Sequence, residues 1–404
     1  MTRWCIITCE YPPIPGGVSD HTQIIVRAFA EAGDVVDVWC PPAPETEPVE
    51  DGDAIDGAAQ TVELRVPLPN VSVHVLSSHF GIGAMRELRG MLRALPADTR
   101  VLVQWVPTAF GWRMMNVPFA LLLFSRPGRT LDLYVHEAGW ETSSRETVRR
   151  ALVGVVHRAM TWLAARSARR VYVSIPAWEQ RLSFAGIPAL PREHTVTWVP
   201  IPSNFPVIAE ATRVTAIRRE LLRGTRRRWI VGHFGTFGRY HTGLLPYVVS
   251  RILDEGGDRV MMLVGRGGKA LRDSLIEARP DLVGRVVATG ELSPEEASAH
   301  LAACDLLVQP YDDGVSTRRS SLMAGIALGC PTITNRGPCT EDVWAAEHAV
   351  HLTDSPAPHA LAGAVTKLLA DDAMRARLGV AAARLHAERF ALAHGVALLR
   401  AGAT

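Results

Sequence analysis

The chain has 404 residues, of which 48% are hydrophobic, 21% charged and 6% aromatic, with a formal net charge of +2. That length predicts two or three domains, two being the leading expectation, and the composition excludes a disordered, collagen-like or coiled-coil chain. A charge so near zero argues against an obligate nucleic-acid binder, which carries a large basic excess; with only two lysines, Lys269 and Lys367, an anion site must rely mainly on Arg, His or backbone N–H groups.

In chain order, short apolar runs alternate with amphipathic segments, the pattern of parallel α/β units. Residues 4–8 read as a strand, 12–17 (PPIPGG) as a turn, and 18–32 as a helix ended by Gly33 in the C′ position. A second strand is expected at 35–39, then a Pro-rich acidic surface loop over 41–57. Further strands are expected at 71–76, 101–104, 131–135 and 171–174, with a well-patterned helix over 146–167. A boundary is expected over 198–206, where three prolines predict a stiff extended linker. After it the alternation restarts, with strands at 230–234, 260–264, 286–288, 306–309 and 332–334 and helices over 359–399. The aromatic and Met-rich segment Trp105, Phe110, Trp112, Met114, Met115 and Phe119 is expected mainly as core. If it faces a cleft instead, it suits a lipid-like acceptor, with Arg113 and the arginines of 126–129 near anionic lipid.

The six cysteines, at 5, 9, 40, 304, 330 and 339, show no doubled metal-ligand spacing. Buried free thiols in a reducing compartment are expected, and no metal. The start of the chain has no signal-peptide pattern. The longest apolar run, 117–124, is about eight residues, well short of the ~20 that span a bilayer. A soluble, cytoplasmic protein is expected, with peripheral membrane contact left open.

Four segments carry candidate chemistry. Gly16 and Gly17, followed by Asp20 and His21, open a helix where backbone N–H groups can meet an anion; a plain tight turn explains them equally well. His136 and Glu137, with Trp140 beyond, end an apolar strand, where α/β enzymes place reactive groups, although a satisfied strand-end histidine looks the same in sequence. The loop 232–243 offers Gly235 and Thr236 with Arg239 and His241, a set suited to a diphosphate or to a simple strand-to-helix connection. In 310–334, Asp312, Asp313 and Gly314 lead into Ser316, Thr317, Arg318, Arg319 and Ser320. Carboxylates there can hold sugar hydroxyls, while guanidiniums, hydroxyls and a helix N-terminus can hold phosphate oxygens.

The order of EYPPIPGGVSDH, VHE, the proline linker, VGRGG, VVATGELSPEEASAHLAACDLLVQPY and a Gly-Cys-Pro strand entry resembles the family 4 glycosyltransferases from residue 5 to about 395. The resemblance implies the GT-B fold, two Rossmann-like doubly wound domains facing a central cleft. It implies an acceptor domain over 1–205, rejoined by a C-terminal helix over 385–404, and a donor domain over 206–384. It implies transfer of a sugar from a nucleotide-diphosphate sugar to a sugar, lipid-linked or small-molecule hydroxyl, with retention and without a metal or cofactor. Gly16 and Gly17 match the loop facing the donor phosphates, His136 the histidine near the reacting centre, and Arg266 and Gly267 a turn bordering the nucleotide. Two departures stand out. Thr236 occupies the place of the usual diphosphate-binding Arg, with Arg239 and His241 as the nearest substitutes and no Lys. Ser316 and Ala324 fall where a pair of Glu is usual, and Asp312 or Asp313 is the nearest replacement for the first.

On this reading His136, Glu137, Arg239 and Arg319 are the catalytic candidates, and Asp20, His21 and Trp140 the acceptor-binding ones. A nucleotide-sugar epimerase of the same fold, a catalytically weak sugar-nucleotide binding protein and an α/β interaction protein are the alternatives.

Overall fold

The computed structural model describes residues 1–43, 68–125, 131–139, 148–190, 196–207, 210–223, 227–237 and 243–401. They form two units, Met1–Pro200 with Val396–Thr404, and Ile201–Gly395. The units divide at 200/201 and 395/396, where the sequence reading set 205/206 and 384/385. The acidic loop over 41–57 lies almost wholly outside the described residues.

The first unit contains β1 (Arg3–Ile7), α1 (Gly17–Glu31), β2 (Val35–Cys40), β3 (Val71–Val75), α2 (Ile82–Ala94), β4 (Arg100–Trp105), α3 (Val117–Phe124), β5 (Leu131–Val135), α4 (Val148–Ser167), β6 (Arg170–Val173), a hairpin of β7 (Ser183–Phe184) and β8 (Ile187–Pro188), and β9 (Val196–Trp198). Seven strands form one sheet in the order β3-β2-β1-β4-β5-β6-β9, and each pairing is parallel. Strands covered on both faces read as unbroken apolar runs, and every residue of β4 and β5 is buried. Gly33 ends α1 at φ 83°, a left-handed conformation that costs glycine nothing, with its N–H on the Ala30 carbonyl at 3.0 Å. Asp34 then receives Thr2 N–H at 2.8 Å, the Trp4 indole N–H at 3.2 Å and Arg400 Nε at 2.9 Å. This carboxylate ties the end of the chain to the start of β1 and β2.

The second unit contains α5 (Ala211–Leu222), β10 (Trp229–Phe234), α6 (Leu245–Asp254), β11 (Arg259–Val264), α7 (Gly268–Ala278), β12 (Val286–Gly290), α8 (Pro294–Ala302), β13 (Leu306–Gln309), α9 (Ser320–Ala327), β14 (Thr332–Asn335), α10 (Val343–Ala346), β15 (His351–Thr353), α11 (Pro358–Leu369) and α12 (Asp372–Leu385). The last helix, α13 (Leu392–Ala401), starts here and ends in the first unit. The sheet runs β12-β11-β10-β13-β14-β15, again wholly parallel.

Strand order reverses between β1 and β4 in one sheet and between β10 and β13 in the other. Ligands of doubly wound sheets bind beyond the carboxyl ends of the strands at such points. Several elements differ from the sequence reading. Residues 196–198, assigned partly to the linker, add β9 to the sheet edge. The helices α2 and α5 were not expected, nor were the hairpin and β15. Trp105, Phe110 and Phe119 are fully buried and pack on one another and on Phe80, so they are core; Trp112 is exposed. All six cysteines are buried thiols outside any disulfide. Among the described residues no helix is long and apolar enough to cross a membrane.

Candidate functional site

In the first unit the site grows from β4, β5 and the start of α1. Gln104 pairs in register with Tyr134, and side chains alternate along a strand, so Gln104, Tyr134 and His136 share one sheet face. His136 is fixed at both main-chain ends. Its N–H donates to the Trp105 carbonyl at 3.0 Å, and its carbonyl accepts from Ser174 Oγ at 3.0 Å and Trp178 Nε1 at 2.8 Å. Its ring Nε2 lies 2.6 Å from Gln104 Oε1. The His21 ring stands edge-on to it, with centroids 4.8 Å apart and an 80° interplanar angle.

Burial lowers the His21 pKa to about 3. Burial first, and His21 second, hold His136 well below the ordinary histidine value. Burial therefore favours the neutral form of both rings. His21, expected to bind acceptor, is buried under His136, while Asp20 and Glu137 are exposed.

Gly16 and Gly17 do open α1, and the two N–H groups that follow them already have an anion. The Glu10 carboxylate accepts from Val18 N–H at 2.9 Å and Ser19 N–H at 3.0 Å. Desolvation raises the Glu10 pKa even with those two donors. The sequence reading missed Glu10, Gln104, Ser174 and Trp178. A polar residue inside the apolar run VLVQW was the one visible signal for Gln104.

In the second unit the turns after β10 and β11 pack backbone to backbone. A side chain at Gly265 (φ 125°) would collide with the Gly235 carbonyl, and one at Gly267 would meet the Thr236 carbonyl at 2.8 Å. Close packing of the two turns therefore accounts for these glycines. Arg266 reaches outward to Glu291, with Nη2 to Oε1 at 2.6 Å and both side chains mostly exposed (57% and 65%).

Beyond β13, Asp313 accepts from two guanidiniums, Arg318 and, at 2.6 Å, Arg319. Burial would raise the Asp313 carboxyl, but Arg319 and Arg318 hold it below its ordinary value. Arg319 also stacks over the Tyr311 ring at 4.9 Å and immediately precedes α9, whose first turn has no side-chain cap. Ser320 begins that helix and is partly buried, and Asp312 is exposed. Gly314 sits against Gly337 and Thr340, which leave no room for a side chain.

Ser316 and Thr317 turn inward. Ser316 is fully buried. Thr317 gives its N–H (2.9 Å) and hydroxyl (2.6 Å) to Glu341, which also takes the Trp344 indole N–H at 2.7 Å. Trp140, Arg239 and His241 lie outside the described residues, as do the arginines of 126–129.

Residues 229–371 match the family model described as glycosyl transferases group 1. That span runs from β10 through α11 and includes the Asp313–Arg318–Arg319 cluster. No curated protein matches the chain in sequence. The structure of Anabaena HepE in complex with UDP aligns at a TM-score of 0.70 and 16% identity, covering 99% of both chains. Sucrose-phosphate synthase from Thermosynechococcus elongatus aligns at 0.70 and 16%, covering 99% of this chain and 97% of its own. WaaG, a glycosyltransferase involved in lipopolysaccharide biosynthesis, aligns at 0.62 and 15%, covering 100% and 98%. The fold is GT-B. In this GT-B chain the neutral histidine cluster belongs to the first unit, and the arginine cluster to the unit that carries the family match.

Proposed function

We propose that the chain is a retaining glycosyltransferase that moves a sugar from a nucleotide-diphosphate sugar to an acceptor hydroxyl, without a metal or other cofactor. The second unit takes the donor and the first the acceptor. The observation that carries this reading is the sharing of Asp313 by Arg318 and Arg319 at the start of α9. Two guanidiniums converge on one carboxylate beside helix N–H groups that no side chain caps, beyond the carboxyl end of β13. That is a preorganised place for a diphosphate whose charge grows as the sugar departs. The match of residues 229–371 to group 1 glycosyl transferases supports it, as do the UDP, and UDP with glucose, held by HepE.

In the reaction, the bond from the anomeric carbon to the diphosphate breaks and the bond to the acceptor oxygen forms on the same face. The acceptor's proton passes to the departing phosphate oxygen. His136 orients the sugar, and Glu137 positions the acceptor.

A thermal-shift screen of UDP-, GDP-, ADP- and TDP-sugars tests this. A donor present at 100 times its Kd adds about 2.7 kcal/mol to apparent stability. One base and sugar should stand out, in EDTA as well as without it. That donor should then give a product of unchanged anomeric configuration by NMR once an acceptor is supplied. A screen in which no nucleotide sugar raises Tm overturns the reading.

A further inference from the structure

His136 can meet a ligand in two opposite ways, and the choice is made by its neighbour. A neutral imidazole carries its proton on one nitrogen and offers a lone pair on the other. Gln104 Oε1, 2.6 Å from Nε2, can only accept. We propose that Gln104 is the positioning residue of His136, holding it as the Nε2–H tautomer so that Nδ1 is presented as a hydrogen-bond acceptor to a hydroxyl of the bound sugar.

Three observations bear on this. The His136 main chain is anchored by Trp105, Ser174 and Trp178, so the ring pivots about a fixed strand end. Nδ1 makes no hydrogen bond among the described residues, and His136 is 7% exposed, against 0% for Gln104 and 2% for His21. His136 is therefore buried, but less completely than the partner that orients it. Finally, Ser19 Oγ, Gln104 Nε2 and both ring nitrogens of His21 are buried without a partner among the described residues. Buried polar groups are normally paired, so such a surplus at a strand-order reversal fits a cluster completed by hydroxyls.

The consequence concerns recognition. An Nδ1 lone pair accepts from an O–H and repels an ionised phosphate oxygen, which has no proton to give. If the Gln104 amide were reversed, Nδ1 would carry the proton and suit an anion. The hydroxyl assignment rests on the glycosyltransferase reading; the tautomer does not.

The test is histidine-selective ¹⁵N labelling of the full chain, with two-bond ¹H–¹⁵N correlation of the imidazoles and His136→Asn to assign the ring. The wild type is expected to show a protonated Nε2 and an unprotonated Nδ1. Gln104→Met, which removes the acceptor at similar volume, should give a mixture of tautomers and lower kcat/KM about tenfold, the loss of one hydrogen bond. Gln104→Glu, whose ionised carboxylate only accepts, should keep the proton on Nε2 at a pH where that carboxylate is ionised. A wild-type His136 protonated on Nδ1 overturns the proposal and needs no variant to fold. An unchanged tautomer in Gln104→Met overturns it as well. If no sugar is transferred, the spectra still report on Gln104 alone, so failure of the function and failure of the positioning role are told apart.

Discussion

At the carboxyl end of the first sheet, His21, Gln104 and His136 form a buried, neutral group; at the same end of the second, Asp313, Arg318 and Arg319 carry three formal charges in a half-buried one. The fold supplies the same topological position twice, and the side chains make it into two kinds of binding surface. Where burial keeps the imidazoles uncharged, hydrogen bonds to neutral hydroxyls are what the site can offer. Where two guanidiniums share one carboxylate, the site offers charged donors without any lysine. At the helix start in the first unit, the N–H groups of Val18 and Ser19 are taken by the chain's own Glu10.

The largest expected effect tests the charged half. Arg318→Ala combined with Arg319→Ala should lower kcat/KM by about 10²-fold or more, on the scale of roughly 2.7–4 kcal/mol for one lost charge-stabilising donor. Donor affinity in calorimetry should fall in parallel. Turnover that survives the double substitution would sink the diphosphate assignment and erase the contrast between the two surfaces.

The neutral half is tested by acid. The folded pKa of His21, about 3, lies below its ordinary 6.5, so between those values the unfolded chain binds a proton that the folded chain refuses. Stability is complete above about pH 6.5 and is lost as pH falls toward 3, at about 1.4 kcal/mol per pH unit for one such group. His136, also lowered, acts in the same direction. His21→Phe should flatten the fall of Tm between pH 6.5 and 4.5. Parallel Tm–pH curves for variant and wild type would show that the buried imidazole is not what resists protonation.

Much of this architecture could be read from residue patterns, because strands buried on both faces leave apolar runs that need no partner to be seen. The central strands of both sheets and the glycine after α1 are of this kind. The three residues of β15 and the four of the β7–β8 hairpin are too short to show a period. The strand β9 was hidden by the prolines that follow it. The site was legible as an order of motifs and illegible as a set of pairings. Nothing in STRRSS says that Thr317 faces Glu341, 24 positions on, while its neighbours face Asp313. Likewise the His136–Gln104 bond arises from parallel register across 32 positions. Sequence spacing describes one element at a time, and these bonds join two.

Those inward pairings give a smaller effect with a clear sign. Thr317→Val removes one hydroxyl donor from a buried site, while the Thr317 N–H and the Trp344 indole still donate to Glu341. Burial already raises the Glu341 pKa against its donors, so losing one should cost about 1–3 kcal/mol of stability. Donor affinity measured well below the variant's Tm should stay at the wild-type value. A variant of normal Tm and weakened donor binding would instead return Thr317 to the donor site.

The smallest effect is expected at Arg266, and it separates two accounts of the turn after β11. The resemblance places this residue beside the nucleotide; the structure pairs it with Glu291 in an exposed contact. Exposed ion pairs contribute about 0–1 kcal/mol, because water screens the attraction and two long side chains lose rotamer freedom. Arg266→Ala should therefore leave Tm nearly unchanged. If the guanidinium serves only Glu291, donor KM is unchanged too, and Glu291→Gln behaves identically. If it leaves Glu291 for the nucleotide on binding, the two substitutions diverge: Arg266→Ala raises donor KM, while Glu291→Gln frees the guanidinium and lowers it. That divergence would extend the charged surface of the second unit from α9 to the β11 turn.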